Sequence, residues 1–299
     1  MRRKDLILRS MMFVPGHNER LLSKSAESEA DALIFDIEDS VMPASNKQVA
    51  RELLLAKVQT GMFERFEVFC RINDRESGHL LRDVSALTIE GVNGFVYPKA
   101  RTGEDIYFFD KLLETIEYEK GLPIGTFSIV PLIETTAAVL NAQDICLASG
   151  RVVAIAYGCE DFVSDLEGIH DKEGQSLFTP RAMIAMAARA TGVIPIDTVH
   201  VNVHDLEDLE ENIRLSRILG FEGMLVLHPK ELEIAHRYFT PTGEEVEEAR
   251  NMLHLAEEAE KQDKGVVVMN GRFVGPPMVL AAHKVIKRAE LIERKKSDR

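Results

Sequence analysis

Eight short apolar runs, each followed by polar or turn-forming residues and separated by helix-compatible stretches, constrain this 299-residue chain more than any other feature. They are Met11–Val14, Ala32–Phe35, Phe66–Cys70, Gly94–Tyr97, Phe127–Ile133, Val152–Ala156, Val193–Ile196 and Met224–Leu227. Short, nearly continuous apolar runs read as strands buried on both faces, which is the condition of parallel strands covered by helices. Eight strand-helix units are what closes a (β/α)8 barrel, a fold of about 250 residues. The expectation is an α/β protein with a TIM barrel over 1–240, followed by an extension over 241–299.

The residues at the end of each run bear on function. In order, the carboxyl ends carry Pro15-Gly16, Asp36 with Glu38 and Asp39, Arg71 with Asn73, Pro98-Lys99, Glu134, Asp161, Asp197 and His228-Pro229. A barrel gathers these ends on one face, so residues distant in sequence form one polar ring. The stretch from Ile129 to Asp161 is the most informative. Its two apolar runs each stop at a carboxylate, which predicts Glu134 and Asp161 at neighbouring strand ends. Two hard oxygen ligands suit Mg2+, which takes one or two protein carboxylates and keeps its other positions for water and substrate. A capping or salt-bridged role is the alternative for each acid taken alone.

The segments between runs have helical character. Glu19–Glu29 and Asp205–Leu219 both place apolar residues at helical spacing and are expected to cover the barrel. Thr242 with Glu245 has the form of a capping box, and Val246, Ala249, Leu253 and Ala256 give the helix after it an apolar stripe. Val266–Met269 and Arg272–Val274 flank Asn270-Gly271, a strong hairpin signal, because that pair supplies the positive φ angles of a tight turn. Next comes a helix from about Met278, with a basic tail, Arg294-Lys295-Lys296, expected to fray. A hairpin and helix beyond the eighth strand have no place inside the barrel. They are expected to fold over its mouth or to reach a neighbouring subunit.

Composition excludes several classes of function. A net charge of −13 is wrong for a nucleic-acid phosphate backbone, which needs clustered Lys and Arg. Cys70, Cys146 and Cys159 have no metal or redox spacing, which with the lack of a leader or membrane-length apolar run predicts a cytoplasmic protein. No glycine-rich dinucleotide or phosphate loop and no Gly-x-Ser-x-Gly turn occurs. His200 and His204 have the spacing of two helix-borne zinc ligands, but the residues between them are β-prone and lack the metalloprotease Glu. Lys99 is open to two readings, a Schiff-base lysine or a rim ion pair. Arg71, at the end of a run facing the two acids, has the planar fork that grips a carboxylate or enolate oxygen; a bridge to Asp36 or Glu38 is compatible with that role.

Arg9-Ser10-Met11-Met12-Phe13-Val14-Pro15-Gly16, Asp36-Ile37-Glu38-Asp39-Ser40, Arg71-Ile72-Asn73, Pro98-Lys99, Ile133-Glu134-Thr135, Glu160-Asp161, Pro195-Ile196-Asp197 and Gly220-Phe221-Glu222-Gly223 with His228-Pro229 succeed one another along nearly the whole chain. In that order and at those intervals they resemble the motifs of the citrate lyase β-subunit-like proteins of the HpcH/HpaI aldolase superfamily, relatives of malyl-CoA and citramalyl-CoA lyases. The resemblance implies a TIM barrel, a homotrimer or hexamer, Mg2+ on Glu134 and Asp161, and Arg71 at the substrate. It implies reversible Claisen cleavage of a 3-hydroxyacyl-CoA, with citramalyl-CoA giving acetyl-CoA and pyruvate as the first expectation. Malyl-CoA cleavage or hydrolysis, and a citryl-thioester lyase subunit working with a carrier protein, are the alternatives. Asp36 and Glu38 are expected to act as organisers or proton relays, and Arg9 and Lys99 to face the CoA side. Two positions depart from the pattern: Gly275 stands where the family carries an Asp that reaches a neighbour's site, and Met224 where it usually has a lysine. Gly275 leaves a catalytically silent scaffold as a further alternative, and Met224 bears on the CoA-facing surface.

Overall fold

The runs become the strands of a closed parallel barrel: β1 (Ser10–Pro15), β2 (Ala32–Asp36), β3 (Glu67–Arg71), β4 (Gly94–Tyr97), β5 (Ser128–Ile133), β6 (Ala154–Tyr157), β7 (Ile194–Asp197) and β8 (Gly223–Val226). They pair in that order, and β8 returns to β1. The structure is a computed structural model that describes residues 5–169, 171, 174–261, 267–269 and 272–297. Between the strands lie α1 (Glu19–Ser25), α2 (Asn46–Val58), α3 (Leu80–Leu87), α4 (Gly103–Glu119), α5 (Thr136–Leu140), α6 (Ala142–Leu147), α7 (Cys159–Asp165), α8 (Gln175–Thr191) and α9 (Leu206–Leu219). No helix among the described residues is long and apolar enough to cross a membrane.

Gly94–Tyr97 has the ends expected from sequence, whereas three other strands continue through a charged residue at which the apolar run stops. Asp36, Arg71 and Asp197 each close their strand, because the ladder bonds continue regardless of side-chain polarity. Alternation explains why those positions can be charged. Ala32 and Ile34, Phe69, Val130 and Leu132, and Ala154 and Ala156 fill the barrel interior as one buried cluster. Two residues further on, the same inward series reaches Asp36, Arg71, Glu134 and Gly158. The site is therefore the top layer of the barrel's own core.

Helix ends obey local chemistry. Asp205 caps α9 by accepting from the Asp208 N–H at 3.1 Å, so the helix starts one residue later than expected. α1 stops at Ser25, short of the expected Glu29.

The chain divides into two compact units, Met1–His236 and Arg237–Arg299, with the division inside α10 (Leu232–Phe239). The second unit holds α11 (Gly243–Lys261), a hairpin of β9 (Val267–Met269) and β10 (Arg272–Val274), and α12 (Pro276–Ser297). The Asn270-Gly271 turn lies outside the described residues. The capping box is present: Thr242 N–H donates to Glu245 Oε2 at 2.8 Å and Glu245 N–H to Thr242 Oγ1 at 3.1 Å. Ala249 and Met252 of α11 pack with Val274 and Ala282 to form this unit's core. Arg294, Lys295 and Lys296 do not fray but form the last turn of α12, where cations meet the negative end of the helix dipole.

Candidate active site

Strand register builds the first half of the site. Asp36 and Arg71 are Cα partners on β2 and β3, so their inward side chains lie side by side. Arg71 donates from Nε to Asp36 Oδ1 at 2.8 Å and from Nη2 to Oδ2 at 2.7 Å, a two-pronged grip. The carboxylate also accepts the backbone N–H groups of Glu38 at 2.9 Å and Ser40 at 3.1 Å. Burial alone would push the Asp36 carboxyl up, but Arg71 and these donors hold it below the usual range. Burial likewise opposes the Arg71 charge, and Asp36, Glu38 and Asp39 outweigh it. Nη1 lies 3.2 Å from Glu38 and 3.4 Å from Asp39, and the guanidinium carbon sits 4.9 Å from the centre of the Phe13 ring. Arg71 is thus fixed in plane and direction before any ligand arrives.

The second half is built differently. Glu134 follows β5 directly and is 2 % exposed. Its Oε1 accepts the Lys99 backbone N–H at 2.6 Å, while Oε2 has no hydrogen-bond partner among the described residues. Lys99 reaches that position with φ of 52°, a left-handed conformation that costs a non-glycine residue about 1–3 kcal/mol. After β6, Gly158 supplies the room: a Cβ there would stand 2.9 Å from Glu134 Cβ and 3.0 Å from Oε2. Burial first, and the Asp161 charge second, push the Glu134 carboxyl up to about 8. Two carboxylates that repel each other, one of them buried with an oxygen unmatched by any donor, suit a divalent cation. Among the described residues no group of three or more His, Cys, Asp or Glu forms a closed metal cage, so a cation here would leave most of its coordination to water and ligand.

Both halves line one cavity of about 470 Å3. Among the described residues its wall carries five carboxylates, Asp36, Asp39, Glu134, Glu160 and Asp161, against a single cation, Arg71. Phe13, Leu132, Val199, Val201, Leu225 and Leu227 make the rest of the wall largely apolar.

Several expectations need correction. Asp161 does not end a strand: β6 stops at Tyr157, and Asp161 stands exposed in the first turn of α7, where the helix dipole favours an acid. Arg9 does not face the cavity. It precedes β1 at the amino end of the barrel, buried, and its Nε and Nη2 hold Asp31 at 2.7 and 2.9 Å. Lys99 is a rim ion pair, 3.0 Å from Glu38 and 3.5 Å from Asp74. Partial burial would lower its ammonium, but Glu38 and its neighbours hold it above the usual lysine range, the reverse of what a Schiff-base lysine needs. Glu38 is buried and raised by that burial against the pull of Arg71 and Lys99, yet neither Glu38 nor Lys99 is on the cavity wall. Asp197 is consumed by buried Arg181, and His228 caps the turn after it by accepting from the Lys230 N–H at 3.2 Å. His200 bonds the Asp205 carbonyl at 3.0 Å instead of joining His204 around zinc.

Sequence reasoning missed Lys47, Arg51 and Asp83, which lie buried behind the β2–β3 half. Asp83 was detectable, since it interrupts the apolar stripe Leu80, Val84 and Leu87 of α3.

Known proteins resemble this chain over most of its length. The model of the HpcH/HpaI aldolase/citrate lyase family matches residues 9–229. The citrate lyase subunit beta of Leuconostoc mesenteroides subsp. cremoris is 34% identical over 285 residues, covering 95% of this chain and 94% of the relative. The L-malyl-CoA/beta-methylmalyl-CoA lyase of Cereibacter sphaeroides is 30% identical, with 95% of each chain covered. Among solved structures, the protein CitE of Mycobacterium tuberculosis, crystallised with magnesium, acetoacetate and coenzyme A, superposes with a TM-score of 0.74 at 24% identity, covering 94% of this chain and 97% of that one.

Proposed function

The chain belongs to the HpcH/HpaI aldolase/citrate lyase family, and from that premise we propose that it is a carbon–carbon lyase that splits (3S)-citramalyl-CoA into acetyl-CoA and pyruvate with Mg2+ as its cofactor. The observation that carries the substrate choice is the cavity wall, with Arg71 its one cation among the described residues and apolar side chains around it. Citramalyl-CoA has one free carboxylate and a methyl group on the carbinol carbon. A citryl thioester brings a second carboxylate, for which this wall offers no second cation among the described residues. Malyl-CoA has the right charge but lacks the methyl that the apolar side would bury.

Glu134 and Asp161 are the residues that would hold the cation, which when bound supplies Lewis acidity toward a carboxylate and adjacent hydroxyl. The protein's own contribution is Arg71, held ready to stabilise negative charge as the bond between the carbinol carbon and the thioester α-carbon breaks. Asp36 and Glu38 act through Arg71, by fixing the plane and reach of its guanidinium. In the balanced reaction the hydroxyl proton leaves, pyruvate departs, and the acetyl-CoA enolate takes a proton at carbon. The reading includes assembly as a homotrimer or hexamer, which light scattering tests.

A second reading, a citryl-thioester lyase subunit acting with a carrier protein, is favoured by the 34% identity to a citrate lyase β subunit. One assay separates the two: purified protein with Mg2+ and citramalyl-, malyl- and citryl-thioesters, with the 2-oxo acid measured. Citramalyl-CoA should exceed malyl-CoA by about tenfold, the worth of one buried methyl. Release of oxaloacetate from the citryl thioester as the fastest reaction would replace the first reading with the second.

A further inference from the structure

Lys47 occupies a position that should repel it. It lies in the first turn of α2, at the positive end of the helix dipole, with no acidic residue in that turn, and it is 7 % exposed. It makes no ion pair among the described residues. Its Nζ instead spends three donors on three uncharged oxygens: the carbonyls of Ile37 at 3.2 Å and Glu38 at 3.1 Å, and Asn73 Oδ1. Such burial is costly unless every donor is met, and here every donor is met.

The three acceptors all belong to the Arg71 apparatus. Ile37 and Glu38 form the turn after Asp36, and Asn73 lies two residues beyond Arg71. With their carbonyls drawn toward Lys47, the turn presents the N–H groups of Glu38 and Ser40 to the Asp36 carboxylate. Asn73 is in turn fixed by Asp83 Oδ2, which accepts its backbone N–H at 2.9 Å and its side-chain amide at 2.7 Å, while Asp83 Oδ1 takes Arg51 at 2.6 Å. The same amide donates to the Ile37 carbonyl at 2.9 Å. A continuous buried chain therefore runs from α2 and α3 through Asn73 and the 37–38 turn to Asp36, and ends on Arg71.

We propose that Lys47 is a positioning residue for the lyase reaction: its buried ammonium clamps the turn after β2 so that Asp36 holds Arg71 in the geometry that stabilises negative charge on the substrate. The role rests on the lyase reading of the site. It is separable from general stability because it acts through one side chain. Lys47→Met should lower kcat by about tenfold or more, as misplacement of an aligned catalytic group does, with KM changed little.

The test is a double-mutant cycle with Arg71→Lys. If Lys47 works through Arg71, Lys47→Met should cost about twofold or less in the Arg71→Lys background. Losses that multiply in full, or a change confined to KM, would overturn the assignment. Should Lys47→Met fail to fold, Lys47→Arg, which keeps the charge but not the three-way geometry, enters the same cycle under the same criterion. A readout free of substrate separates this inference from the functional one. The Arg71 Nε–H resonance in 15N-labelled protein should shift and exchange faster with solvent in the Lys47 variant, and an unchanged resonance refutes the clamp even if no thioester is cleaved. Absence of cleavage by the unaltered protein, with the resonance responding, removes the functional reading alone.

Discussion

Asp36 and Glu134 occupy equivalent places, each at the inward end of its barrel strand and each almost fully buried, yet their surroundings are opposite. Asp36 is met by a bidentate guanidinium and two backbone N–H groups, and is held below the usual carboxylate range. Glu134 is met by one N–H and by the charge of Asp161, and is pushed up to about 8. The β2–β3 half is electrostatically finished by the protein. In the proposed function, the β5–β6 half is the one that a cation from outside would complete. On that proposal the site separates holding the metal from stabilising the reaction's charge, and each half should fail in its own manner.

The largest expected effect belongs to the unfinished half. Glu134→Ala should remove Mg2+ binding in a calorimetric titration and reduce cleavage by about a thousandfold or more, because the cation's contribution is lost with its buried ligand. Asp161→Ala should weaken Mg2+ less, since its carboxylate is exposed and water can take its place. Full activity in Glu134→Ala would end the assignment of the metal to this pair. Arg71→Lys comes next. It should cost about 10²–10³ in kcat, the range for losing one preorganised charge-stabilising group, while leaving Mg2+ affinity close to that of the unaltered protein. A parallel loss of Mg2+ affinity would mean that the two halves are one unit, and the comparison would break.

The contrast also predicts opposite pH behaviour in metal-free protein. The folded-state carboxyl of Glu134 lies above its unfolded value, so the folded protein binds the extra proton between about 4.5 and about 8. That contribution to stability is fully present below the lower value and is lost as pH rises through about 8. Glu134→Gln should therefore raise the unfolding free energy at pH 9 relative to the parent, by a few kcal/mol in order of magnitude, with the gain absent near pH 5. Asp36 has the other sign. Its lowered carboxyl contributes stability above the ordinary carboxylate value, lost only as pH falls through its depressed folded value, so Asp36→Asn should destabilise at neutral pH. Thermal melts of the two variants, with Mg2+ chelated, should diverge as pH rises from about 5 to about 9, Glu134→Gln gaining on the parent while Asp36→Asn stays below it. Parallel curves would refute the contrast.

The two halves also differed in how far the sequence revealed them. The barrel was legible because buried parallel strands leave apolar runs, and the polar ring because strand ends must converge. Asp36, Arg71 and Glu134 obey that logic. Asp161 was found for the wrong local reason: it reaches the mouth from the first turn of α7, a geometry that a run-plus-carboxylate pattern does not distinguish from a strand end. Arg9 shows the limit of motif resemblance, because the residue before β1 is at the far end of the barrel and is held there by Asp31. Lys47 and Asp83 act through contacts set by tertiary packing. Only their placement against local preference, a lysine at a helix start and an acid on an apolar stripe, marks them in the sequence.

The smallest effect tests the comparison most finely. Gly158 has φ of −102°, an ordinary value, so what its glycine provides is space and not a special backbone conformation. A methyl group there would meet Cβ of Glu134 at 2.9 Å and Oε2 at 3.0 Å, closer than such atoms settle, with Leu132 next at 3.4 Å, so its three nearest neighbours all lie on the β5 side. Gly158→Ala should therefore displace the Glu134 carboxylate by a few tenths of an ångström and weaken Mg2+ by about tenfold, the lower end of what disturbed support of a metal ligand costs. Saturating Mg2+ should restore most of kcat, because Arg71 has not moved. If kcat stays low when the metal is saturating, the displacement has crossed the cavity, and the separation of metal holding from charge stabilisation does not hold at the scale of a single methyl group.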